Sequence, residues 1–96
     1  MKVRIKTGFW DVRDYAMSVG ESGLLFCSGS EEWQVSFSEI LRFSLAGAAG
    51  SPDRFTMETT SGNYEGYFAR TEDARETIDQ LSRRSGQRVE ISLITV

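Results

Sequence analysis

Apolar and polar residues alternate with period two along most of the chain, which is the pattern of strands that bury one face. The first alternating segment is Lys2–Lys6, in which Val3 and Ile5 share a face. Further extended segments with this pattern, or with a short apolar run, are predicted at residues 15–19, 24–27, 33–38, 40–45, 55–59 and 64–68. The clearest is 33–38, in which Trp33 alternates in register with the next apolar residues and is predicted to be core. In 40–45 the residues predicted to share one face, toward the core, are Leu41, Phe43 and Leu45.

Segments that contain glycine separate these predicted strands. Residues 20–23, 28–31 and 61–63 have the composition of tight turns, because glycine adopts the positive φ that hairpin turns need. A bend or bulge is predicted at Ser38 and Glu39. The stretch 47–53 is rich in turn residues and holds the only proline, so it is predicted to be a mobile surface loop.

The hydrophobic period changes to that of a helix between Thr71 and Ser85. Ala74, Ile78 and Leu81 recur at helical spacing and form a narrow apolar stripe that would cover one end of a sheet. The residues expected at the two ends of the helix are an N-cap Thr71, acidic Glu72 and Asp73, basic Arg83 and Arg84, and a C′ Gly86.

Residues 88–94 return to period two after the helix. Their pattern mirrors that of Lys2–Lys6, so the two ends of the chain are predicted to pair or to be neighbours. The sequence thus predicts a single, mostly β domain over residues 1–96, with about seven antiparallel strands, one C-terminal helix and an extra strand after it. The strands would form a partly open barrel or two orthogonally packed sheets.

Composition and charge narrow the classes of function. The net charge of −3 argues against a nucleic-acid-binding domain, which is usually basic. The chain has no histidine and one cysteine, so it lacks an internal disulfide, the usual transition-metal ligands and any histidine-based acid–base catalysis. The cysteine, Cys27, lies in an apolar segment and is predicted to be a small core residue. We therefore expect no enzyme, no cofactor and no metal site. The absence of a long apolar run predicts a cytoplasmic protein.

The order of predicted elements resembles a known superfold. The segments 23–26 and 33–40, followed by a hairpin over 55–68 that leads into the helix at Thr71, resemble a bacterial pleckstrin-homology-like (PH-like or GRAM-like) domain of unassigned function. The resemblance covers about residues 15–85 and implies a partly open barrel capped by one helix. Lys2–Lys6 and the strand after the helix lie outside the simplest PH plan.

Five residues are candidates for binding, namely Trp10, Tyr67, Lys2, Arg4 and Lys6. The three basic residues form a stripe for anionic groups, or alternatively an ordinary solvated strand face. Trp10 would point away from its neighbour Phe9 in an extended segment, so one of the two would be exposed to a partner or covered by another element of the fold. Tyr67 is out of register with the apolar residues around it and is either a surface contact or an ordinary cross-strand pair.

Three hypotheses for the function follow, and none of them is catalytic. The first is an interaction module that binds a protein or peptide, with an exposed strand edge near the helix as one route. The second is a homo-oligomeric assembly protein in which strand edges at 2–6 or 88–95 pair between copies. The third is binding to anionic lipid through the basic N-terminal strand. Phosphoinositide binding through the first hairpin, as in PH domains, is disfavoured because residues 19–23 lack basic side chains and include Glu21.

Overall fold

The computed structural model describes residues 1–6, 11–48, 51–86 and 89–95. A short 3₁₀ helix, Phe37–Glu39, lies where the bend or bulge was predicted. The other elements are β1 (Lys2–Lys6), β2 (Val12–Val19), β3 (Gly23–Ser28), β4 (Glu31–Ser36), β5 (Ile40–Ala48), β6 (Ser51–Thr59), β7 (Gly62–Phe68), α1 (Thr71–Ser85) and β8 (Glu90–Thr95).

The eight strands form one sheet in the order β4-β3-β2-β1-β7-β6-β5-β8, curled into a half-barrel. All neighbouring strands are antiparallel except β5 and β8, which are parallel. The predicted fold class is confirmed: the chain is mostly β, with one C-terminal helix and a further strand after it.

The prediction that the two ends of the chain pair or adjoin is wrong. β1 lies between β2 and β7, so both of its hydrogen-bonding edges are occupied and it offers no edge to another copy. β8 instead pairs with β5 at the far end of the sheet. Similar alternation in two strands shows only that each buries one face; it does not determine which strand is the neighbour.

Two further expectations about β5 and β6 are wrong. Most of the stretch predicted as a loop belongs to strands, because β5 extends to Ala48 and pairs it with Ser51. Pro52 is accommodated beside a register shift in this hairpin, where the regular ladder is interrupted. A second register shift, between Ile40 and Arg42, makes Ile40 inward and leaves Leu41 58% exposed, although Leu41 was expected to face the core.

The concave side of the sheet holds one hydrophobic core, and α1 covers one end of it. The helix packs mainly against β6, β2 and β7. Ala74 and Leu81 of the predicted stripe are fully buried, whereas Ile78 is half-buried. Two buried hydroxyls share this face, those of Thr77 and Ser85, and each donates a hydrogen bond to the helix carbonyl four residues earlier.

The N-terminal residue joins the sheet to the helix. The Met1 amino group donates to the carbonyl oxygen of Met17 at 2.9 Å, and the Met1 sulfur lies 3.0 Å from the hydroxyl oxygen of Thr77. The start of β1 is therefore at the end of the half-barrel that the helix covers. Lys6, at the other end of β1, lies at the uncovered end.

Candidate functional site

The outward face of the sheet carries a cross-strand row of two arginines and a tyrosine. Arg4 on β1 lies directly opposite Tyr67 on β7, and Tyr67 lies directly opposite Arg54 on β6. Residues opposite one another in antiparallel strands project from the same face, and neighbouring strands are about 4.8 Å apart. The Tyr67 side chain is therefore flanked by an arginine on each side. We call this set the Tyr67 row.

Alternation in each strand places these side chains on the outward face. Val3 and Ile5 of β1 are buried in the core, so Lys2, Arg4 and Lys6 project outward and are exposed. In β7 the buried residues are Gly66 and Phe68, so Tyr67 projects outward and is 46% exposed. The same periodicity that builds the core thus assembles the row.

Open depressions adjoin the Tyr67 row on both sides. One of about 150 Å³ lies among Arg54, Glu65 and Tyr67. A second, of about 430 Å³, is lined by Arg4, Val12 and Tyr67 among others. A third, of about 490 Å³, lies on the far side of Arg4 toward β2 and the β3–β4 turn. The surface around the row is therefore uneven enough to receive side chains of a partner.

Each arginine of the row makes an ion pair with a neighbouring aspartate. The Arg4 Nε lies 3.1 Å from the Asp14 Oδ1, and the Arg54 Nε lies 3.8 Å from the Asp53 Oδ1. Both pairs are solvent-exposed, and exposed pairs contribute at most about 1 kcal/mol. A carboxylate from a partner can therefore replace either aspartate at little cost.

The structure brings four of the five predicted site residues to one face. Lys2, Arg4 and Lys6 are exposed on β1, and Tyr67 adjoins Arg4. The fifth, Trp10, lies outside the described residues. Sequence reasoning missed Arg54, because its place beside Tyr67 depends on the register of the β6–β7 hairpin.

A cluster of aromatic rings lies at the end of the half-barrel that the helix does not cover. The Trp33 ring stacks on Phe26 with centroids 4.1 Å apart and on Tyr64 at 5.4 Å. Tyr15 meets it edge-on at 5.9 Å. Trp33 is half-buried and packs against the core, as predicted, and two other rings stack on it. Its role is therefore packing, although an opening of about 450 Å³ lies beside it, near Lys6.

The two outer strands of the sheet differ in chemical character. β4 begins with two exposed glutamates, Glu31 and Glu32. β8 exposes 70% of Leu93, and its glutamate, Glu90, is paired with Arg42 of β5 at 3.3 Å. Among the described residues, neither strand has a hydrogen-bonded neighbour on its outer side.

The described residues show little reactive chemistry. They contain no group of three or more His, Cys, Asp and Glu side chains placed to hold a metal ion. Cys27 lies on the outward face rather than in the core, where it was expected; it is half-buried, with its sulfur 3.9 Å from the Glu32 Oε2. No helix in this part of the chain is long and apolar enough to cross a bilayer. Comparison with known family models and with curated proteins finds no match to the chain.

Proposed function

We propose that this domain is a non-catalytic interaction module that binds a protein or peptide through the outward face centred on Tyr67. The observation that carries the proposal is the Tyr67 row, in which Arg4 and Arg54 flank the exposed ring. Tyrosine and arginine are enriched among the residues that dominate binding energy at protein interfaces. Here they adjoin depressions that can receive partner side chains.

The chemistry of the row favours a partner that presents carboxylates beside an apolar group. Guanidinium groups bind carboxylates through two parallel hydrogen bonds, and the tyrosine ring offers an apolar surface with a polar tip. Lys2 and Lys6 add positive charge on the same strand as Arg4, and neither makes an ion pair with the described residues. The proposed ligand is therefore an acidic segment of a protein.

The arrangement of elements supports membership of the PH-like superfold as part of this proposal. Seven antiparallel strands precede a helix that covers one end of the curled sheet, which is the plan that the resemblance implies. β8 is an addition to that plan. Domains of this kind present binding surfaces, which is the role proposed for this chain.

Site-specific photo-cross-linking tests the proposed surface. A photoreactive amino acid replaces Tyr67 in one variant and Gln34, an exposed residue of β4, in a matched control. We expect a discrete partner to be captured at position 67 and not at 34. Arg54→Glu should reduce that capture by about tenfold or more, because it places repulsion where the partner's carboxylate would bind.

The control for folding is the thermal midpoint, which Arg54→Glu should leave close to that of the wild type because the side chain is exposed. Equal capture at positions 67 and 34, or capture at 67 that Arg54→Glu does not reduce, would contradict the proposal. A captured partner whose contact segment has no acidic residues would contradict the ligand class.

Binding to an anionic membrane is the alternative that the exposed stripe Lys2, Arg4 and Lys6 favours. Sedimentation with phosphatidylserine vesicles at low salt separates the two. A membrane-binding domain would pellet with the vesicles, and Lys2→Ser with Lys6→Ser would abolish the pelleting. For the protein-binding module we expect no pelleting, because Asp14 and Glu65 interleave negative charge with the cations on the same face.

A further inference from the structure

The outer edge of β8 is open, and the strand carries an exposed leucine. β8 is the last strand of the sheet, and among the described residues its outer side has no strand partner. Leu93 is 70% exposed, more than any other large apolar side chain in the described part of the chain. An unpaired edge with an exposed leucine is a template for pairing with another strand.

The opposite edge of the sheet is protected. Glu31 and Glu32 begin β4; Arg13 pairs with Glu31 at 3.2 Å, which leaves Glu32 without an ion pair among the described residues. Charged side chains on an edge strand discourage pairing with another chain. On β8 the described charge is Glu90, which Arg42 neutralises from the neighbouring strand of the same sheet. Of the two edges, that of β8 is the better suited to accept a strand.

We infer that β8 pairs antiparallel with β8 of a second copy, around a two-fold axis that passes beside Leu93. In such a pair opposite residues share a face, so the two Leu93 side chains meet across the axis. Glu90 lies three residues from Leu93 in each copy, so the two carboxylates are separated by about six residues, or ~20 Å. The two strands can therefore meet without repulsion between their glutamates.

The neighbouring register brings different side chains together. An axis at Ser92 would place Glu90 directly opposite position 94 of the partner, an isoleucine. It would also separate the two Leu93 side chains, each of which would then face Ile91 of the other copy. The register centred on Leu93 places Glu90 opposite position 96, which is also apolar, so the two registers differ in the contact between the two Leu93 side chains and not in charge.

The dimer should be weak and reversible. β8 has six residues, and a pair of such strands buries less area than the ~1,200 Å² at the low end of stable interfaces. The inference goes beyond the proposed function because it uses another surface. β6 and β5 separate β8 from β7, which carries Tyr67, so the Tyr67 row stays free in the dimer.

Sedimentation equilibrium up to about 1 mM protein tests the dimer. We expect a concentration-dependent dimer that Leu93→Lys weakens about 100-fold, because each copy loses the burial of a leucine. The matched control is Leu41→Lys, since Leu41 is similarly exposed but lies on β5, away from the edge. A wild-type protein that stays monomeric, or equal effects of the two substitutions, would overturn the inference.

Disulfide cross-linking tests the register. Leu93→Cys in a Cys27→Ser background should form a covalent dimer under mild oxidation, because opposite Cα atoms in a strand pair are about 4.5–5.5 Å apart. Glu32→Cys on β4 in the same background should not. Cross-linking through position 32 in preference to 93 would show that the other edge pairs, which would also overturn the inference.

Discussion

Gly66 occupies a position where no side chain fits. It lies between Ile5 of β1 and Phe55 of β6 in the sheet. A Cβ at this position would lie 2.4 Å from the Phe55 ring and 2.8 Å from the carbonyl oxygen of Arg4. The bare backbone lets the Phe55 ring lie across β7 and reach Phe68, with ring centroids 5.1 Å apart. Core packing therefore requires glycine at position 66, next to Tyr67.

Gly66→Ala should lower the free energy of unfolding by about 2 kcal/mol, because the added methyl group forces the phenyl ring or the β1 backbone to move. Urea denaturation measures the change. Gly20→Ala is the control, since its Cβ would make only ordinary contact, 3.4 Å from the Gly23 carbonyl oxygen. Equal stability of the two variants would mean that the Phe55 ring does not cover position 66.

Side-chain direction was largely predictable at this scale. Alternation in β1 and β7 predicted correctly that Arg4 and Tyr67 face outward, because a strand has only two faces. Their adjacency to each other and to Arg54 was not predictable, since it depends on the register of three strands. The binding role of Trp10, which lies outside the described residues, stays a prediction.

Among the elements, α1 begins without a side-chain cap. The N-cap residue is Arg70, with φ −135° and ψ 136°, and its side chain makes no capping hydrogen bond. Thr71, the predicted cap, is instead the first helical residue. A cation at this end is also unfavourable for the helix dipole, which is positive there. The ion pair between Arg70 and Glu72, at 3.6 Å, is exposed and offsets little of that cost.

Arg70→Ser should therefore raise the free energy of unfolding by about 1 kcal/mol, since serine in this extended conformation accepts a hydrogen bond from a free amide of the first turn. The thermal midpoint should rise by roughly 4–8 °C in a domain of this size. Arg70→Ala removes the charge but adds no cap, and should give a smaller gain. If the two variants are equally stable, the gain in stability comes from removal of the charge alone.

The elements were predictable where a local signal defines them. The helix bounds of 71 and 85 were correct, because Gly86, with φ 65°, ends the helix in a conformation that favours glycine. The prediction that Leu41 faces the core was wrong, because the bulge after Ile40 cannot be recognised from the hydrophobic pattern. The partner of β8 was also hidden, since a parallel pairing across a helix is set by how the whole sheet packs.

At the scale of the whole molecule, side chains rather than strand hydrogen bonds complete the curl of the sheet. Trp33 on β4 stacks against Tyr64 on β7, although three strands separate these two in the sheet order. The contact bridges the two halves of the half-barrel at the end that α1 leaves uncovered. The curvature therefore depends on a tertiary aromatic contact as well as on the twist of the strands.

A double-mutant cycle measures that contact. Trp33→Leu and Tyr64→Leu should each destabilise the fold, and together they should show a coupling energy of about 0.5–1.5 kcal/mol, the usual range for an aromatic pair. The control cycle combines Trp33→Leu with Tyr67→Leu, whose rings lie on opposite faces of the sheet, and should give no coupling. Additive effects in both cycles would mean that the rings do not bridge the halves.

The parallel strand β8 also determines the order in which the sheet is completed. β5 is made long before β8, and α1 comes between them in the chain. On a ribosome the edge of β5 therefore stays bare while the helix is synthesised, although β6 already pairs with its other side. A substitution that delays docking of α1 prolongs this interval. It would therefore lower the yield of folded protein as well as the stability of the fold.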